Sequence, residues 1–172
     1  MEKTKYLEFR PEEWDKAFIS ERNNLLFLLP QFKINVEHIG ATSVNGCRSF
    51  RNVDILVSTH NFIDIHTIGM LLESKEYREI KEQSTVDCVV LVKKKKVNKM
   101  GVTVRVVEYA SKTYSRIMAF KVLLQENYSR VVNYNNFREG LITKVNFDIA
   151  KYNEIKYDYI NQQVDENFKF ED

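Results

Sequence analysis

Residues 35–58, NVEHIGATSVNGCRSFRNVDILVS, constrain the chain more than any other stretch. Two short β-suitable runs, 35–39 and 53–57, are joined by a glycine turn at Gly40, the small residues Ala41, Thr42 and Ser43, and a second turn at Asn45-Gly46. A glycine straight after a strand lets the backbone bend sharply with its N–H groups exposed. Neighbouring hydroxyls add donors, so such a turn suits an anion such as phosphate. The second run is apolar except for Asp54. A carboxylate within a strand that wants burial is costly unless it is paired or binds a cation, and a metal ion beside a bound phosphate would account for it. The expected site therefore combines Gly40, Thr42 and Ser43 with Asp54. His38, just ahead of the turn, can hydrogen-bond either a phosphate or the turn itself.

The 172 residues fit one domain, 1–172, long enough to bury roughly two thirds of the unfolded surface. With 44% hydrophobic and 29% charged residues, 5 glycines and 2 prolines, the composition is that of a folded globular chain, not a disordered or fibrous one. A net charge of +2 is too mild to imply a nucleic-acid or membrane partner, so any anion site must be local. Cys47 and Cys88 make neither a disulfide framework nor a CxxC pair, and no leader opens the chain, so the expected compartment is the cytoplasm. The apolar runs are too short to span a bilayer.

Along the chain, Pro11 followed by Glu12 and Glu13 predicts a helix start, and Trp14, Phe18, Leu25, Leu26 and Leu29 form its apolar stripe, ending at or before Pro30. Asn61 is placed to cap a second helix whose stripe is Phe62, Ile65, Ile68 and Leu72. From Tyr77 the period shifts towards 2, and 77–81, 87–93 and 101–109 read as antiparallel strands. The lysines at 93–96 lie between two of these. Without interleaved aromatics they form no stacking platform for nucleic acid, and they read as a solvated hairpin tip. In the last strand Thr103, Arg105 and Val107 face away from Val102, Val104 and Val106, so Arg105 can reach an anion from the less apolar side. Three helices follow, with Ser111, Ser129 and Asp148 at their expected starts. Lys121 falls inside the apolar arc of the first, where it must either snorkel to water or present its ammonium to an acid or phosphate. The order predicts an α/β (α+β) domain with a mixed sheet, helices mainly on one face, and a three-helix C-terminal segment.

The run His38-Ile39-Gly40-Ala41-Thr42-Ser43-Val44-Asn45-Gly46, followed by Asp54-Ile55-Leu56-Val57, resembles the GrpB family pattern HIGSTSVPGLxxKPxxDIxV. Residues 119–123, AFKVL, are similar to that family's FRDYL helix, and Asp148, Tyr152, Lys156 and Ile160 to its closing Y-x-x-x-K pattern. The resemblance implies a nucleotidyltransferase-superfamily fold, in which a glycine-serine turn holds nucleotide phosphates and strand carboxylates bind magnesium. Carried onto this chain, it implies phosphate contacts from Gly40, Thr42 and Ser43 and a magnesium ligand in Asp54, and His38, Lys121 and Arg105 join them as candidate phosphate contacts on the residue readings above. The departures are chemical. Leu56 stands where a second metal carboxylate is needed, and Ala41 where the turn serine belongs. Asn45 replaces a proline, and Thr103 and Arg105 replace a His-x-His pair. Two-metal transfer needs bridging carboxylates, which only Glu37 or Glu108 is left to supply. The readings that follow are a divergent magnesium-dependent nucleotidyltransferase, or a non-catalytic module that binds a nucleotide or small phosphorylated ligand.

Overall fold

The computed structural model describes residues 7–93 and 100–170; most of the expected lysine-rich hairpin tip lies outside the described residues. The elements are α1 (Pro11–Leu28), β1 (Ile34–Ile39), β2 (Asn52–Thr59), α2 (Phe62–Glu73), β3 (Tyr77–Glu79), β4 (Cys88–Lys93), β5 (Gly101–Glu108), α3 (Lys112–Glu126), α4 (Tyr128–Lys144) and α5 (Ile149–Asn167). Pro11 opens α1, where its missing N–H costs nothing. Asn61 and Ser111 cap α2 and α3 with side-chain oxygens, and Asp148 accepts from the N–H groups of Ala150 and Lys151 at the start of α5. The expectation for Ser129 is corrected. Asn127 caps α4 by accepting from the Ser129 N–H, so α3 runs into α4 through one extended residue. No described helix is long and apolar enough to cross a membrane.

The described strands form a mixed sheet in the order β1-β2-β5-β4-β3. β2 and β5 pair in parallel at its centre, while β1·β2, β3·β4 and β4·β5 are antiparallel. Alternation along the strands sends Val53, Ile55, Val57, Val104 and Val106 to one face. There they meet Trp14, Leu25 and Leu29 of α1 and Ile65, Ile68 and Leu72 of α2. Leu56, Val90 and Val107 point the other way, beneath Tyr114, Ile117 and Met118 of α3. Helices therefore cover both faces, where the sequence order had suggested mainly one. The reason lies in β2, which buries consecutive residues from Ile55 to Thr59; a strand buried at both parities demands a layer on each side. Two expected stripe residues also lie outside the core, Leu26 at 38% and Phe62 at 40% exposure.

Candidate functional site

Gly40 takes φ +70° and ψ −169°, a conformation that only glycine adopts without strain. A Cβ on Gly40 would lie 2.8 Å from Asp54 Oδ2. Ile39 is paired with Asp54 across β1 and β2, so the chain turns directly over that carboxylate. Turn and acid thus meet as the sequence implies.

The side chains flanking the turn face inward. The His38 ring nitrogen Nε2 lies 2.9 Å from Thr42 Oγ1, and the ring stacks on Phe18 at 4.7 Å, on the α1 side of the sheet. Burial lowers the His38 pKa to about 4 against the pull of Asp15, so the imidazole is neutral near pH 7. Ser43 Oγ donates to the Gly40 carbonyl at 2.8 Å. Lys121 Nζ donates to the His38 carbonyl at 2.8 Å, tying α3 to β1. These four residues fasten the bend together.

The charge lies on the opposite side of the sheet from His38. In β5, Thr103 is level with Asp54 and Arg105 with Leu56, and both share the face of Asp54. Asn52 Nδ2 bridges Thr103 Oγ1 at 3.1 Å and Asp54 Oδ1 at 3.4 Å. Two cations from the C-terminal helices join them. Arg138 of α4 is 3% exposed; its Nε donates to the Tyr152 hydroxyl at 2.8 Å and its Nη1 to the Arg48 carbonyl. Lys156 of α5 donates to Asn153 Oδ1 at 3.1 Å, with its ammonium 4.5 Å from the centre of the Tyr157 ring. Arg105 Nη2 donates to the Tyr157 hydroxyl at 2.5 Å. Burial raises the Asp54 pKa, and Lys156, Arg105 and Arg138 oppose that rise. Burial also lowers Lys156 to about 8, with Asp54 opposing and the two arginines adding to the fall. Asp54, Thr103, Arg105, Lys156 and Tyr157 each keep partial exposure, so the cluster is not sealed from solvent. Two nearby spaces, of about 40 and 290 Å³, lie to the side between α3, α4 and α5 and beside Asn45, and Asp54 lines neither.

Of the residues singled out in the sequence, Gly40, Asp54 and Arg105 come together. Arg138 was missed, and Lys156 was noted only through the family pattern. Both carry a readable signal: Arg138 lies four residues after Tyr134 and Lys156 four after Tyr152, each a charge on an apolar helical stripe. The same reasoning had singled out Lys121 instead.

The donor set does not fit magnesium. Asp54 is a single carboxylate facing three cations, which repel a divalent ion, and Leu56 offers no second ligand. Glu37 pairs with Leu56, not with Asp54, and faces Tyr114, whose pKa it helps burial push up to about 12. Glu108 pairs with Thr59, five residues along β5 from Thr103. That places it on the opposite face and about 16 Å further on at the usual rise per residue. Among the described residues no group of three or more His, Cys, Asp or Glu could hold a metal ion.

The sequence profile of the GrpB protein family matches residues 7–166. The chain superposes on the conserved protein GrpB from Enterococcus faecalis with a TM-score of 0.77 at 23% identity, covering 94% of each chain. It also matches a chain of the GLD-2/RNP-8 complex, with a TM-score of 0.51 at 15% identity over 78% of this chain and 42% of that one. A Cid1 poly(U) polymerase variant bound to MgATP gives 0.52 at 8% identity over 80% and 43%. This chain thus spans less than half of those two proteins, and with them it shares the nucleotidyltransferase fold alone. Among curated proteins no sequence match is found.

Proposed function

Since the chain belongs to the GrpB family, we propose that it is a metal-independent binding module for a nucleotide or small phosphorylated ligand, held at the Asp54 face of the sheet. The observation that carries this reading is the charge imbalance: Arg105, Arg138 and Lys156 act on one carboxylate, Asp54, within a largely desolvated cluster. Desolvated cations left in excess favour an anion strongly, because each charge–charge contact is weakly screened there. Arginine forks suit phosphate oxygens, and the lysine supplies a point charge. A Cid1 structure in complex with the UTP analogue UMPNPP supports a nucleotide as one member of the ligand class. Nucleotidyl transfer is the weaker reading, because its two-metal form lacks the bridging carboxylates.

The test is calorimetric titration with inorganic pyrophosphate, in EDTA and in magnesium. Binding is expected in EDTA. Lys156→Gln is expected to weaken it by roughly 10- to 100-fold, the range for a hydrogen bond to a charged group. Affinity should fall as pH rises through about 8, where Lys156 loses its proton. Asp54→Asn should tighten binding by removing the one repulsive charge. Binding that requires magnesium, or that Asp54→Asn abolishes, overturns the proposal in favour of a metal-dependent site.

A further inference from the structure

Both arginines of the cluster already hold an oxygen. Arg138 Nε donates to the Tyr152 hydroxyl at 2.8 Å and Arg105 Nη2 to the Tyr157 hydroxyl at 2.5 Å. The two tyrosines come from the same helix, α5, five residues apart, and Lys156 between them sits over both rings, at 4.5 Å from Tyr157 and 5.7 Å from Tyr152. One short stretch of α5 therefore occupies the donors of guanidiniums carried by two other elements, β5 and α4.

The chemistry of that occupation is unequal. A phenol oxygen is a neutral acceptor, and burial raises the pKa of both tyrosines, keeping them protonated. A guanidinium bound to a neutral oxygen gains roughly half what it gains from an anionic one. The bonds are well formed but replaceable by a ligand that brings charge. The route in also passes α5: Lys156 and Tyr157 are partly exposed, whereas Arg138 behind them is buried. α5 enters this position from a turn in which Asn146 and Phe147 both take left-handed backbone, at φ +50° and +62°. For a bulky residue such as phenylalanine that conformation is strained.

We infer that Tyr152 and Tyr157 form a latch: their hydroxyls hold the positions that anion oxygens take, an entering anion displaces both, and the 152–157 turn of α5 loosens as it binds. The inference rests on the anion-site reading above and adds its regulation. The latch sets a threshold, because a ligand must outbid two existing hydrogen bonds, which favours anions with several charged oxygens over singly charged ones.

The experiment compares wild type, Tyr157→Phe and the Tyr152→Phe/Tyr157→Phe double variant in pyrophosphate titrations in EDTA, with hydrogen exchange of the wild type followed with and without pyrophosphate. Removing the hydroxyls frees Arg138 Nε and Arg105 Nη2 in the unliganded protein, so the double variant is expected to bind roughly tenfold tighter, with Tyr157→Phe shifted the same way by less. Pyrophosphate is expected to speed exchange over residues 152–157 while slowing it in β2 and β5. Tyr157 is partly exposed, so its single variant decides the matter should the double variant fail to fold. Equal or weaker binding by the variants, or slowed exchange over 152–157, overturns the latch and leaves the anion site standing. An absence of pyrophosphate binding in all three proteins overturns both together.

Discussion

Gly40 meets two demands that no other residue meets at once: a positive φ with extended ψ, and room for a carboxylate oxygen where a side chain would start. Gly40→Ala is expected to cost about 2–3 kcal/mol, from backbone strain plus displacement of Asp54, read as a lower midpoint in urea unfolding. Lys156 makes a second prediction, with opposite sign. Its folded pKa of about 8 lies below its ordinary value of 10.5, so between those values the unfolded chain binds more protons, and stability rises with pH across that window. At about 1.4 kcal/mol per pH unit the charged ammonium costs the fold up to about 3 kcal/mol below pH 8. Lys156→Met should therefore be the more stable protein near pH 7, with the gain shrinking as pH climbs from about 8 to 10.5. A gain that stays constant with pH would assign it to packing instead. Residues of this kind were partly legible. Asp54 declared itself as an acid in an apolar strand, whereas the bonds of His38 to Thr42 and of Ser43 to the Gly40 carbonyl depend on how the bend closes, which sequence does not show.

At the scale of elements, local chemistry spoke clearly. Asn61 and Ser111 cap the helices they were expected to cap, the last helix begins beside Asp148 as expected, and the period change near Tyr77 marks the antiparallel strands. Ser129 misled because Asn127, an equally good cap two residues earlier, reaches its N–H. Asp148 matters beyond its own helix, since the first turns of α5 carry Tyr152, Lys156 and Tyr157 to the charged cluster. Asp148→Ala should cost about 1 kcal/mol, a loss of a few degrees in Tm for a chain of this size. The same variant should raise hydrogen exchange first in the opening turns of α5. What the periodicity did not give was layering: Asp54 makes one parity of β2 look polar, and only the structure shows both parities buried from Ile55 to Thr59.

Over the whole molecule, the site depends on crossings that no window of sequence contains. Arg138 and Lys156 lie beside Asp54 only because α4 and α5 pack on α3 and on the connection after β1, where Tyr134 and Val164 share a core with Phe120, Leu123, Ala41 and Val44. The loop after the turn is held to α4 at residues 87–91 positions away, by Arg48 N donating to Asn135 Oδ1 at 2.9 Å, Asn135 Nδ2 donating to the Gly46 carbonyl at 2.9 Å, and an Arg48–Glu139 ion pair. The fold class could be read from element order, but the excess of positive charge could not. The parallel pairing of residues 52–59 with 101–108 also bears on how the protein is made. Strand β2 leaves the ribosome well before β5, and at about 5–20 residues per second it stands for some seconds with one edge bare. Bare apolar edges recruit wrong partners. Translation pace and chaperone shielding during that interval thus govern how many newly made copies reach the native state, even though the finished protein encloses the same strand between two neighbours.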